Sequence, residues 1–357
     1  MTSENLAQLR LEAQRVSHPR TSSVEALVNH LGAVQAQDYP GALWSLGLRV
    51  ANATRADVER AIADRSIVRT WPMRGTLHFV PAADARWMLE TLTPRILSGA
   101  AGRHRQLELD DAKFKRSRTL ITKAMNREPV LTRATIYALL EKGGISTAGQ
   151  RGIHIVRQLA MERTLVCGPH SEKQPTFARF DEWIPDSSTL DRDDALRTLA
   201  ERFFVSHGPA TLRDFVWWTG LRVADAKIGL HLASPSLMQV GEHWMSATHA
   251  SPAEPAPRAH LLPGFDEFML GYKDRGAALA TKHAERVVPG ANGVFLATLV
   301  LDGQVCGTWR RSTRGNSVAI EATSFSRLEA ADRKAFAAPV ERYAQFVGTP
   351  VTIAWNA

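Results

Sequence analysis

The chain has 357 residues, 44% hydrophobic and 22% charged, an ordinary balance for a folded protein with room for two or three domains. The absence of any run of about 18 apolar residues excludes a membrane-spanning helix, and MTSENLAQLRLEAQR lacks the continuous apolar core of a signal peptide. Two cysteines, Cys167 and Cys306, exclude a disulfide framework and fit a reducing cytoplasm. The net charge is +8, with only nine lysines among the 44 basic residues. Such an arginine excess either reflects codon bias alone or marks a polyanion-binding surface, which makes nucleic acid the leading partner.

In chain order, a helix is expected over residues 3–16. A second follows, in which Val24, Leu27, Val28, Leu31 and Val34 recur at helical spacing behind a Ser22/Glu25 capping-box pattern. Gln35 and Gln37 stand at its end. Positions i and i+2 diverge by roughly 200° on a helix but point the same way in an extended segment. The two amides are therefore either solvated side chains of a polar last turn, or partners in one site beyond a helix that stops near Gln35. Tyr39-Pro40-Gly41 is the expected terminator. A third helix starts at Thr54, with Asp57 completing a capping box. IVRTW and MRGTLHFV then read as the strands of a wing divided at Pro72, and a linking helix starts near Ala82.

The same order recurs twice. A basic helix over residues 111–126 precedes Thr132-Arg133-Ala134-Thr135, which opens YALLEKGG; IHIVRQLAMERT is the third helix. TLVCGP and FARFDEWI flank a polar wing tip from His170 to Pro175. Further on, ALRTLAERFFVSHG ends at Gly208-Pro209, Thr211 caps LRDFVWWTG, and Gly220 turns the chain into LRVADAKIGLHL, a helix-turn-helix pattern. SLMQVGEHWMSA follows as strand, and the proline-rich SPAEPAPRA marks a linker. Beyond it the period becomes that of strands, with Asp302-Gly303 as a hairpin signal and one helix over residues 326–346. The expected fold is α+β: about three tandem winged-helix motifs and a C-terminal antiparallel β-barrel-like domain. The expected boundaries are 1–100, 101–187, 188–250 and 258–357.

Motifs for other chemistries are missing. There is no phosphate-binding glycine loop, no CxxC or HExxH spacing and no GxSxG elbow, so no metal or cofactor is expected.

Three stretches, VQAQDYPGALWSLGLR, RTWPMRGTLHFV and LLPGFDEFMLGYKDR, with the later Trp309-Arg310-Arg311, give the chain a resemblance to the AlkZ-like (YcaQ/AlkZ) family of DNA glycosylases from about residue 10 to the end. The resemblance implies tandem winged-helix motifs and a C-terminal barrel around a DNA channel. It also implies a Gln-x-Gln catalytic motif, matched here by Gln35 and Gln37. The implied activity is monofunctional excision of N7-alkylguanine or N3-alkyladenine, with bulky adducts and interstrand crosslinks as further substrates. The other function class is a noncatalytic winged-helix regulator. Such a protein would dimerise on a palindrome, whereas no heptad appears here and a cytoplasmic monomer on double-stranded DNA is expected.

Two neutral amides suit that chemistry. An N7-alkylated guanine is already cationic, so it departs without the general acid that a neutral leaving group demands of a glycosidase. What remains is an oxocarbenium-like sugar and a water to be aimed at it. A glutamine accepts a hydrogen bond from that water and donates another, and fixed dipoles of this kind contribute roughly 10²–10³ in rate. Asp38, adjacent and ionisable, is the alternative base.

Several groups would line a DNA channel or else are ordinary solvated charge. Arg69, Arg74 and His78 lie on the first wing, with Arg74, Thr76 and His78 sharing a strand face. Gln150, Arg151 and Arg157 fall on the third helix of the second unit, where phosphate contact is expected rather than base reading. Arg310, Arg311 and Arg314 cluster beside Trp309, either as a phosphate clamp or as a charged sheet edge. Trp44 is the aromatic candidate for stacking on a base.

Overall fold

Side-chain chemistry within three or four residues decides most helix ends. Thr54 and Asp57 close the expected capping box at the helix Arg55–Ala63. Thr211 and Asp214 do the same for Leu212–Thr219, which Gly220 terminates at φ 73°. The second helix, Val24–Leu31, is capped by Ser23 rather than Ser22, its hydroxyl accepting from the Ala26 N–H at 3.1 Å. Gly32 (φ 77°) ends it. Tyr39-Pro40-Gly41 does not stop that helix but opens another, Tyr39–Gly47. The reason is that proline has no N–H to lose at a first turn and its φ is already helical.

The computed structural model describes residues 2–19, 21–172, 174–248 and 256–356. Residues 251–255 of the expected linker lie outside this set. The fold is mixed α+β, with two compact units, one of residues 59–195 and one of residues 1–58 with 196–357. Among the described residues no helix is long and apolar enough to cross a membrane.

In the unit 59–195, five strands pair antiparallel in the order Thr76–Pro81, Ile67–Met73, Leu165–Cys167, Thr176–Arg179 and Val130–Thr132. The two hairpins expected to belong to separate units thus share one sheet, joined where Arg69 pairs with Cys167. The first hairpin turns at Arg74 (φ 52°) and Gly75 (φ 72°), not at Pro72. Two successive positive φ values define the tight turn whose twist matches its strands. Pro72 sits instead in the irregularity between Thr70 and Met73, the kind of bulge where a strand tolerates a missing N–H. The helices Asp111–Met125, Arg133–Lys142 and Arg151–Met161 pack Phe114, Ile121, Ile136, Leu140, Ile155 and Leu159 into one core with Trp71 and Phe177.

In the other unit, the order Arg192–His207, Leu212–Thr219, Val223–Ala233 is followed by the two-stranded pair Leu237–Val240 and His243–Ser246. The C-terminal strands form a five-stranded sheet ordered Val351–Asn356, Ser317–Ser324, Gln304–Arg314, Thr298–Leu301, Ala259–Leu262. Among the described residues it is an open sheet with one parallel pair, whereas an antiparallel barrel-like domain was expected. Ser317–Ser324 and Val351–Asn356 run parallel, because the helix Ala337–Val347 carries the chain back to its starting side between them. Asp302 (φ 48°) and Gly303 (φ 80°) make the hairpin turn legible in the sequence.

Candidate active site

The segment after Gly32 is extended at Val34–Gln35 and bends at Gln37 before the helix Tyr39–Gly47 begins. Gln35 is 6% exposed, Ala36 fully buried and Gln37 exposed. Neither glutamine lies on a helix, so the 200° divergence that would separate them does not apply. The alternative of two amides on a last helical turn is thereby removed.

The backbone of this segment is fastened to a buried carboxylate. The Gln35 N–H donates to Glu267 Oε1 at 2.9 Å, and the Trp218 indole N–H donates to Glu267 Oε2 at 3.0 Å. His207 Nε2 lies 3.4 Å from the same Oε2. Glu267, Trp218 and His207 are all completely buried. The His207 ring stacks on Phe203 with centroids 4.9 Å apart and planes 14° apart.

The next residue back, Asp266, is held as firmly. Its carboxylate accepts from Arg49 Nη1 at 2.8 Å and Nη2 at 2.7 Å, from the Ser45 hydroxyl at 2.8 Å and from the Phe268 N–H at 3.0 Å. Arg49 is 0% exposed and also reaches the Gln14 carbonyl and side-chain oxygen. Gln14 Nε2 donates to Tyr272 Oη, which donates to the His207 carbonyl. Arg10 stacks 3.8 Å above the Tyr272 ring. One hydrogen-bonded network thus ties the N-terminal helices to the stretch GFDEFMLGY.

Of the residues singled out in the sequence, Asp38 is the exposed N-cap of Tyr39–Gly47, and its carboxylate is turned back over Gly41. Trp44 is 2% exposed. Its indole donates to the Leu261 carbonyl at 2.8 Å and packs 5.0 Å from Tyr343, so it belongs to the core and presents no face for stacking on a base. Arg310 and Arg311 are exposed on Gln304–Arg314, where Arg310 opposes Glu321 and Arg311 donates to the Tyr343 hydroxyl at 3.0 Å. Arg314 ends the same strand.

In the other unit, Arg69 is 7% exposed, with Nη1 3.2 Å from His170 Nε2. His78 is fully buried. Its Nδ1 contacts the Thr76 carbonyl at 2.9 Å, so Nδ1 carries the proton and Nε2 faces Arg74 Nη2 at 3.4 Å. Arg74 and His78 do meet, although Arg74 lies in the turn and not on the strand. Arg157 approaches the same turn at Gly75 and contacts His154 Nδ1 at 3.2 Å. Burial, then Arg157, lowers the His154 pKa to about 4. Gln150 (φ 75°) precedes the helix Arg151–Met161 and accepts from Arg103 at 2.9 Å. Arg151 pairs with Glu108 at 2.8 Å.

Among the described residues no group of three or more His, Cys, Asp or Glu side chains is placed to hold a metal ion. Burial pushes the Cys167 thiol up to about 11 and Cys306 to about 12, which leaves neither as a thiolate nucleophile at neutral pH. Sequence reasoning did not single out Glu267 or Arg49; it read Trp218 as core, where it lies, and gave His207 no role. The signal available for the first was two adjacent acids inside an apolar stretch, a pattern that folds only if both find partners.

Known proteins resemble this chain along most of its length. The family model described as DNA glycosylase AlkZ-like matches residues 28–346. A Streptomyces sahachiroi protein named "Interstrand DNA cross-link repair glycosylase" is 25% identical over 321 residues, 82% of this chain and 83% of its own length. The solved structure of Streptomyces sahachiroi DNA glycosylase AlkZ superposes with a TM-score of 0.79 at 24% identity, covering 99% of this chain and 100% of that one. With its Gln-x-Gln segment inside the matched region, the chain belongs to the AlkZ-like DNA glycosylase family.

Proposed function

We propose that the protein is a monofunctional glycosylase that hydrolyses the N-glycosidic bond of alkylated purines in double-stranded DNA. Gln35 and Gln37 hold the attacking water and stabilise the developing sugar charge with their carbonyl dipoles. The observation that carries this reading is the Gln-x-Gln segment itself, non-helical, extended at Gln35 and bent at Gln37, with the Gln35 N–H fixed to a fully buried Glu267. A side-chain carbonyl at such a place acts without ionising, which is sufficient when the departing base is already cationic.

DNA is held, in this reading, by three winged-helix motifs made from the recurring helix–helix–helix–strand–strand runs. Arg74, Arg157 and the exposed Arg310 and Arg311 supply phosphate contacts. The substrates are N7-alkylguanine and N3-alkyladenine. The relative's role in crosslink repair makes bulky adducts and interstrand crosslinks the next to try. The protein acts as a monomer in the cytoplasm.

Oligonucleotides bearing each adduct, incubated with the protein and then treated with alkali, report abasic sites as strand breaks. Release from at least one adduct is expected. Gln35→Ala and Gln37→Ala should each abolish it while duplex affinity stays within a few-fold, and Asp38→Asn should retain it. Normal turnover by both glutamine variants would remove the assignment. Loss only in Asp38→Asn would transfer the role of base to Asp38. Release from no adduct, with tight sequence-specific binding, would identify a regulator.

A further inference from the structure

We infer that Glu267 is a positioning residue for this reaction: its carboxylate fixes the backbone of Gln35 and so aims both glutamines. The inference rests on the glycosylase reading. It is carried by the pattern of hydrogen-bond donors around one buried group.

Glu267 is 0% exposed. Burying a carboxylate is costly unless donors replace its water, and here its neighbours come from separate elements of the chain. Oε1 takes the Gln35 N–H at 2.9 Å, and Oε2 takes the Trp218 Nε1–H at 3.0 Å. His207 is the third. The Ser206 hydroxyl lies 2.6 Å from the Arg202 carbonyl and gives its single proton there, so at 2.8 Å from His207 Nδ1 it accepts. His207 Nδ1 therefore carries a proton, and Nε2 faces Glu267 Oε2 at 3.4 Å.

The other end of the segment meets the same elements. A Cβ on Gly32 would fall 3.4 Å from Trp218 Cη2 and 3.6 Å from Arg202 Cβ. The four residues from the helix end to Gln35 are thus clamped between Trp218 and Glu267. A one-residue slip would release the Gln35 N–H and turn the amides over. Misplacement of a catalytic group by about 1 Å costs on the order of 10²-fold in rate.

Glu267→Gln preserves shape but places an NH₂ where an oxygen now accepts, so a donor such as the Gln35 N–H or the Trp218 indole faces another donor. The single-turnover rate on an N7-alkylguanine duplex should fall roughly 10²-fold, with the dissociation constant for the same duplex within a few-fold of wild type. A readout independent of activity is the Gln35 amide proton. Bound to a carboxylate, it should resonate downfield of ordinary amides and exchange slowly, and Glu267→Gln should shift it back. If Glu267→Gln does not fold, the shortened but charged Glu267→Asp is read the same way, with rate and amide shift falling together. Wild-type rate in either folded variant, an ordinary Gln35 amide in the native protein, or equal losses of rate and DNA affinity would overturn the positioning role. All three leave the glycosylase reading intact. Failure of the wild type to release any adduct would remove both.

Discussion

Arg49→Met tests the buried network directly. In the native protein the Arg49 guanidinium donates to Asp266 at 2.7 and 2.8 Å, to the Ser45 carbonyl and hydroxyl at 2.9 Å, and to Gln14. Both members of the ion pair are 0% exposed by side chain. Methionine fills much of the volume but leaves Asp266 with only the Ser45 hydroxyl and the Phe268 N–H. Removing one partner of such a pair costs about 3–5 kcal/mol, because the remaining charge stays in a low-dielectric interior. A unit of some 150–250 residues loses about 2–4 °C of melting temperature per kcal/mol, so a fall of roughly 6–20 °C is expected. Thermal unfolding followed by far-UV circular dichroism measures it. Adding Asp266→Asn, which removes the stranded charge but keeps an acceptor for the helix cap, should recover more than half the loss. A fall below about 2 °C, or a double variant no more stable than Arg49→Met, would refute the argument that the charge pair organises this core.

Trp44→Phe should lower stability by about 1–3 kcal/mol through loss of the buried N–H bond to Leu261. DNA affinity should not change, and an affinity loss with unchanged melting would return Trp44 to the DNA surface. Burial depresses His30 and His260 from 6.5 to about 4. In the unfolded chain both protonate below pH 6.5, so their contribution to stability is complete above that value and is lost as the pH falls towards 4. The loss is on the order of 2 kcal/mol per histidine at pH 5. Melting curves at pH 7 and pH 5 should differ accordingly, and a His30→Gln/His260→Gln variant should flatten the slope; a flat wild-type profile would contradict the assignment. Gly152→Ala places a Cβ 2.6 Å from Tyr137 Cζ, an overpacking worth about 1–3 kcal/mol. Urea unfolding should detect it, and an unchanged midpoint would mean that the Tyr137 ring swings away freely.

What the sequence determined by itself was local. Thr54–Asp57, Thr211–Asp214, Gly220 and Asp302-Gly303 each act through contacts spanning a few residues, and each appears where its chemistry predicts. The spacing of Gln35 and Gln37 was visible too, but spacing left two solvated amides as the alternative, and the role proposed for the pair comes from the family resemblance. Errors arose where a local signal admits two outcomes. Tyr39-Pro40 both stops and starts helices, and Pro72 marks a turn or a bulge with equal ease; pairing with strand partners settled the second. Other features depended on partners far away in the chain. Arg69 joins two hairpins through Cys167, and a crossover helix makes the last strand parallel. Arg49 finds Asp266 across 217 positions, and Gln35 finds Glu267 across 232. A buried charge has no periodicity to betray it: its partner is whichever group the fold brings within 3 Å, and only the tertiary structure makes that choice.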